Sequence, residues 1–155
     1  MVAKNSRCSF SARSRASSQA QPATVSALPS AAVQIAAGYS SSYAMLVDGS
    51  VWGWGYNSGG QLGDGPPTDR LSPSRGEGYG ADPAMRLPPG GAAARTMFVV
   101  AADGTAMGSG RNYEGQLGNG GTDADVLTAG AIPELGGGIV EIARGSTHTL
   151  VLKAE

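Results

Sequence analysis

Short apolar runs broken by Asp-Gly pairs set the pattern of this chain. Tyr43 to Val47 and Ser50 to Trp54 flank Asp48-Gly49, and Met97 to Ala102 and Thr105 to Met107 flank Asp103-Gly104. Asp-Gly between apolar runs predicts a two-residue hairpin, because both turn positions then need positive φ, which Asp tolerates and Gly adopts freely. In the second strand of the first hairpin, Trp52 and Trp54 fall on one face and Val51, Gly53 and Gly55 on the other. Glycines inside a strand mark a close backbone approach, as where sheets stack tightly. A third apolar stretch, Ile139-Val140-Glu141-Ile142, precedes Thr149-Leu150-Val151-Leu152.

The two hairpins are copies of each other. Asp48 to Gly65 reads DGSVWGWGYNSGGQLGDG, and 55 residues on, Asp103 to Gly120 reads DGTAMGSGRNYEGQLGNG, identical at ten of eighteen positions. The shared residues are Asp48, Gly49, Gly53, Gly55, Asn57, Gly60, Gln61, Leu62, Gly63 and Gly65, matched by Asp103, Gly104, Gly108, Gly110, Asn112, Gly115, Gln116, Leu117, Gly118 and Gly120. Repetition at such a period marks a unit that cannot bury its own apolar face and needs neighbouring copies to do so.

Trp54-Gly55, Asn57 and Gly60-Gln61-Leu62-Gly63 together resemble the repeat of the regulator of chromosome condensation family. Ile142-Ala143-Arg144-Gly145-Ser146-Thr147-His148-Thr149-Leu150 is similar to another segment of that repeat, and Val33 to Gly38 supplies the equivalent start of the first copy. The resemblance implies an all-β fold, a partial β-propeller of about two four-stranded antiparallel blades. It divides the chain into residues 31–87 (first copy with linker), 88–139 (degenerate second copy) and 140–155 (start of a third), after an extension over 1–30. The second copy departs from the pattern, with Ser109 in place of Trp54 and Thr96 where the family has the histidine kept here as His148. It is expected to pack less well. About two blades leave strand edges and an apolar face open. The expectation is therefore a fragment of a longer propeller, a homo-oligomer, or a chain docked on a protein partner, with the fragment reading first, since the chain stops at Glu155 where the next turn should begin.

Composition narrows the partner classes. Residues 1–47 carry Lys4, Arg7, Arg13 and Arg15 and no acidic group, whereas 48–155 carry a net charge of −5. The Ser/Ala-rich extension fits a transit peptide or a disordered, weakly basic tail equally well. It lacks the apolar run of a secretory signal, so the expected location is cytoplasmic or organellar rather than secreted. No stretch suits a membrane span. The lone cysteine, Cys8, excludes an intrachain disulfide. Arg70, Arg75, Arg86, Arg95, Arg111 and Arg144 are scattered without a basic stripe, which argues against nucleic acid as a partner.

The inventory of chemical groups is poor for catalysis. His148 is the one histidine; within Gly-Ser-Thr-His-Thr-Leu it reads as a structural position making a buried hydrogen bond rather than as a base. Asp48 and Asp103 belong to turns. The Gly-rich strings lack a phosphate-binding pattern and a single histidine cannot build a His-rich metal site, so no cofactor and no metal is expected. Trp54 reads as a core residue between blades, and Trp52, Tyr56 and Tyr113 as candidate interface aromatics. The functional expectation is a non-catalytic protein-interaction module and scaffold. The resemblance also implies two alternatives: a guanine-nucleotide exchange factor for a small GTPase, and a protein inhibitor of an enzyme.

Overall fold

The computed structural model describes residues 24–91, 93–122 and 124–154. Cys8, the four basic residues of the extension and Glu155 lie outside them, as does most of the predicted 1–30 segment. Among the described residues, nine strands form three antiparallel sheets. The first is β1 (Ala32–Ala37), β2 (Ser41–Leu46), β3 (Val51–Gly55) and β4 (Arg70–Arg75), in that order. The second is β5 (Thr96–Val100), β6 (Ala106–Gly110) and β7 (Val126–Ala131); the third pairs β8 (Ile139–Arg144) with β9 (Thr149–Lys153). A short 3-10 turn at Pro133–Leu135 links the last two.

The predicted hairpins form, with a different turn. Among the described residues, Ser40 is the non-glycine residue with positive φ, so Asp48 and Asp103 do not adopt it. The loop instead runs over Val47, Asp48 and Gly49: Gly49 N–H donates to Leu46 O at 2.9 Å, and Leu46 N–H to Ser50 O at 2.9 Å. Asp48 Oδ1 accepts from the Ser50 N–H (3.0 Å) and hydroxyl (2.6 Å), and Asp103 does the same with Thr105 at 2.9 and 2.7 Å. Those bonds hold both carboxyl groups below their ordinary pKa, the Ser50 hydroxyl leading at Asp48 and the Thr105 N–H at Asp103. Only the glycine takes the left-handed conformation, φ 79° at Gly49 and 78° at Gly104. Each also lies under the link to the following repeat: a Cβ on Gly49 would sit 2.3 Å from the Asp82 carbonyl carbon, and one on Gly104 2.7 Å from Gly138 N. The Asp-Gly turn is thus the seat on which the next repeat is laid.

Proline decides where the sheets stop. Pro73 sits in β4, an edge strand, where a missing N–H is tolerated. In the second sheet the counterpart of β1 shrinks to one bridge, Arg86 to Val100, with N–H···O bonds of 2.8 and 3.0 Å. Leu87 is followed by Pro88 and Pro89, which have no N–H to continue the ladder. The fold class stands, but the second blade is three-stranded with a one-bridge fourth edge.

Apolar residues gather between sheets. Tyr43, Met45, Val51 and Leu62 of the first repeat meet Tyr79, Leu87, Met97, Val99 and Ala129. Phe98, Val100, Ala106 and Leu117 meet Ile132, Ile139 and Ile142 at the second junction. On the outward face of the first sheet, Ala44, Leu46 and Trp54 are covered by Val25, Leu28, Ala32 and Trp52. The second repeat is not loosely packed as expected, since β5 is buried along its whole length. Ser109, which stands where the first repeat has Trp54, is hydrogen-bonded to Tyr79, their hydroxyls 2.6 Å apart and both side chains fully buried.

Candidate interaction surface

The repeated Asn and Gln residues organise the loops that leave β3 and β6. Asn57 Oδ1 accepts the Leu62 N–H (2.9 Å), while Nδ2 donates to Asp64 Oδ1 (2.9 Å), Pro66 O (2.8 Å) and Thr68 O (3.2 Å). Asn112 repeats this with the Leu117 N–H at 3.0 Å, and with Asn119 Oδ1 and Gly121 O at 2.9 Å each. Gln61 Oε1 accepts the Gly59 N–H and Gln116 Oε1 the Glu114 N–H. All four side chains are buried. They hold Gly55, Gly60 and Gly63, with Gly110, Gly115 and Gly118, in tight loops, and what the loops hold outward is a set of tyrosines and arginines.

Tyr39 and Tyr56 meet edge to face, with centroids 6.0 Å apart, and the Arg95 guanidinium lies 4.7 Å from the Tyr39 ring. Backbone bonds fix this corner: the Tyr56 N–H donates to Ser40 O at 2.8 Å, the Tyr39 N–H to Ala94 O at 2.8 Å and the Arg111 N–H to Arg95 O at 3.0 Å. Arg111 lies 5.5 Å from the Tyr113 ring and pairs with Glu114 at 3.2 Å. The Ser58 hydroxyl donates to the Tyr56 hydroxyl. Rigid aromatic faces beside guanidinium groups suit recognition by stacking and charged hydrogen bonds.

Of the predicted interface residues, Tyr56 and Tyr113 are on this end. Trp52 is not; it is half-buried, packs with Trp54 and donates its indole N–H to Ser50 Oγ at 3.0 Å. His148 is exposed rather than buried, with its ring against Gly145, where a Cβ would sit 2.6 Å from the imidazole. Its counterparts Ser41 and Thr96 are buried because β3 and β6 run beside their strands, whereas no described strand follows β9. Among the described residues no group of three or more His, Cys, Asp or Glu gathers that could hold a metal ion.

Two groups that sequence reasoning passed over lie in the junctions. Arg144, in sequence one of six scattered arginines, is buried, its guanidinium donating to Thr96 O (2.8 Å), Pro88 O (3.3 Å), Pro89 O (3.3 Å) and Met97 Sδ (3.3 Å). Burial lowers its pKa, partly offset by Tyr43 and Tyr79. Tyr43 donates to Gln61 O and is hydrogen-bonded to Ser41; burial pushes its phenol up to about 12, with the Ser41 bond and Arg144 opposing. Tyr79 is raised further by burial. Neither tyrosine is exposed enough to meet a substrate.

Comparison with known proteins agrees with this geometry. Two family models, both described as the regulator of chromosome condensation (RCC1) repeat, match residues 32–61 and 48–81. The chain is 36% identical over 126 residues to the human probable E3 ubiquitin-protein ligase HERC6, a match covering 77% of this chain and 12% of that protein. Human WBSCR16 superposes with a TM-score of 0.69 at 23% identity, over 86% of this chain and 33% of that one. Yeast RCC1 (Prp20), solved bound to Kap60, superposes with a TM-score of 0.63 at 20% identity, over 83% of this chain and 32% of that one. The chain thus spans about a third or less of each of these proteins.

Proposed function

Because the chain belongs to the RCC1 repeat family, we propose that it is a non-catalytic protein-interaction segment, with the Tyr39, Tyr56, Arg95, Arg111 and Tyr113 end as its contact surface. The observation that carries this reading is the division of labour between two kinds of loop residue. The repeated Asn and Gln side chains are buried and spent on the loops, whereas Tyr39 and Tyr113 stay 42% and 56% exposed on the same end of adjacent repeats. Function on a repeat skeleton resides in such grafted positions. The yeast relative solved with Kap60 supports a protein as the kind of partner.

A photo-crosslinking amino acid placed at Tyr113, and separately at Val47 on the Asp-Gly end, tests the assignment. The expected outcome is discrete protein adducts from position 113 in a cell extract, lost when Tyr56 and Arg95 are replaced by alanine, with none from position 47. Equal labelling from both positions would remove the basis for choosing this surface.

A further inference from the structure

Asp64 and Asn119 hold the same place in the two copies, each followed by a glycine. Both accept a bond from the loop asparagine, Asn57 Nδ2 to Asp64 Oδ1 and Asn112 Nδ2 to Asn119 Oδ1, at 2.9 Å each. Their surroundings differ. Asp64 Oδ2 also accepts from the Arg70 guanidinium and from the Ser74 hydroxyl. Arg70 and Ser74 stand opposite Gly55 and Gly53, and the residues opposite Gly110 and Gly108 are Val126 and Gly130. The second copy therefore has neither the cation nor the hydroxyl that hold the carboxylate in the first, and an amide stands in that carboxylate's place.

That amide is set for attack by its own backbone. Of the chain's four asparagines, Asn119 is the one followed by glycine, so no Cβ shields the next backbone nitrogen. Its Oδ1 also accepts the Gly121 N–H at 3.2 Å, which folds the side chain back along the Gly120-Gly121 backbone. Two N–H groups, from Asn112 and Gly121, thus point at the oxygen on which negative charge develops when the amide carbon is attacked. Gly120 is exposed, and a Cβ placed on it would meet its nearest neighbour, the Glu134 side chain, at 3.9 Å, so the backbone has room to turn. Asn57 and Asn112, by contrast, are buried and are followed by Ser58 and Tyr113.

We infer that Asn119-Gly120 is a site of spontaneous deamidation that unlatches the loop between β6 and β7. The Gly120 nitrogen, its proton passed to water, bonds to Asn119 Cγ; the Cγ–Nδ2 bond breaks and ammonia leaves, taking a proton back, which closes a cyclic imide. Water opens the imide at either carbonyl, leaving aspartate or, with the chain rerouted through the side chain, isoaspartate. No oxidant or reductant takes part. Either product brings a negative charge to a half-buried place where Val126 stands instead of Arg70. Asp125, which accepts the Asn112 N–H at 3.2 Å, already lies beside the same asparagine, so the new charge meets a like one. Isoaspartate also lengthens the backbone and displaces the acceptor of Asn112 Nδ2. The conversion is read from mass and from backbone protection, so it neither needs nor predicts a contact made by Tyr113.

Peptide mapping of the purified full chain, held at mildly alkaline pH, tests it. The segment holding Asn119 is expected to gain the mass of an amide-to-acid conversion and to separate into aspartate and isoaspartate forms, faster at higher pH, while Asn57 and Asn112 stay amides. Hydrogen exchange of the converted chain should show lost protection over residues 112–121, with 57–65 unchanged. Asn119→Asp is expected to lose protection in the same loop, and adding Val126→Arg to regain it, as Arg70 serves Asp64. An Asn119 that stays an amide in the folded chain while the urea-unfolded chain converts it overturns the inference, because the fold then shields the site. Unchanged protection in the converted chain or in Asn119→Asp, or none regained on adding Val126→Arg, overturns it as well.

Discussion

The two junctions between repeats have the same geometry and different chemistry. The first is bridged by an amide, Gln34, and a phenol, Tyr79, with a second phenol, Tyr43, buried beside them and hydrogen-bonded within its own repeat. The second is bridged by two guanidinium groups, Arg86 and Arg144, which donate to carbonyls across it. Apolar residues sit in equivalent slots in both. The difference teaches that the repeat prescribes an apolar pair and a clamp onto backbone carbonyls or N–H groups, and leaves the clamping group free. The shared motif therefore carries the architecture, and the unshared residues make each junction specific.

Removing an apolar member should have the largest effect. Phe98→Ala is expected to cost about 3–5 kcal/mol in urea unfolding, because the site at the second junction is fully enclosed. Arg144→Ala leaves the Thr96 and Pro88 carbonyls unpaired and should cost about 1–3 kcal/mol. A smaller loss from Arg144→Met than from Arg144→Ala would show how much of the arginine's role is packing. Tyr79→Phe deletes the bond to Ser109 alone and should cost about 1 kcal/mol.

The junctions should also part on a pH axis. Tyr43 ionises near 10.0 when unfolded and at about 12 when folded, with Tyr79 raised in the same direction. The neutral phenol is thus favoured by folding, so this stability is complete below pH 10 and is lost as pH rises through about 12. Alkaline titration should ionise both phenols together with loss of the β-sheet spectrum. Early, spectrally silent ionisation of either would contradict their burial. The smallest effect is expected at the turns. The depressed carboxyls of Asp48 and Asp103 contribute above their unfolded value of 3.8 and lose that contribution as pH falls through the folded one. Asp48→Asn and Asp103→Asn should flatten the acid limb slightly and equally.

Much of this was legible in the sequence for local reasons. Asp-Gly pairs, alternating apolar residues and ten repeated positions locate β2, β3, β5 and β6 and the loops after them, because those depend on neighbours along the chain. The turn type differed, since the Asp48 side chain bonds forward to Ser50 in preference to a left-handed backbone. What was not legible depends on distant partners. Ser109 reads as a loss until the buried hydroxyl of Tyr79, thirty residues earlier in sequence, is seen to bond it. Arg144 reads as surface until carbonyls some fifty residues away close around it. His148 reads as buried because it stands at a structural position of the repeat; its equivalents Ser41 and Thr96 are buried by a strand that has no described counterpart beside β9. On the candidate surface, Tyr56 and Tyr113 were identifiable as aromatics beside turns. Tyr39 and Arg95 were missed because only folding brings 39 against 56 and 95.

The central claim is that clamps such as Arg144 hold one repeat to the next, independently at each junction. Backbone hydrogen exchange of the Arg144→Ala chain, read segment by segment, tests this most directly. Protection should fall across residues 139–153 and at Thr96 and Met97, while residues 41–55 keep theirs, as expected when stability is distributed in neighbouring units. A uniform loss over all three sheets, or no change at 139–153, would contradict it.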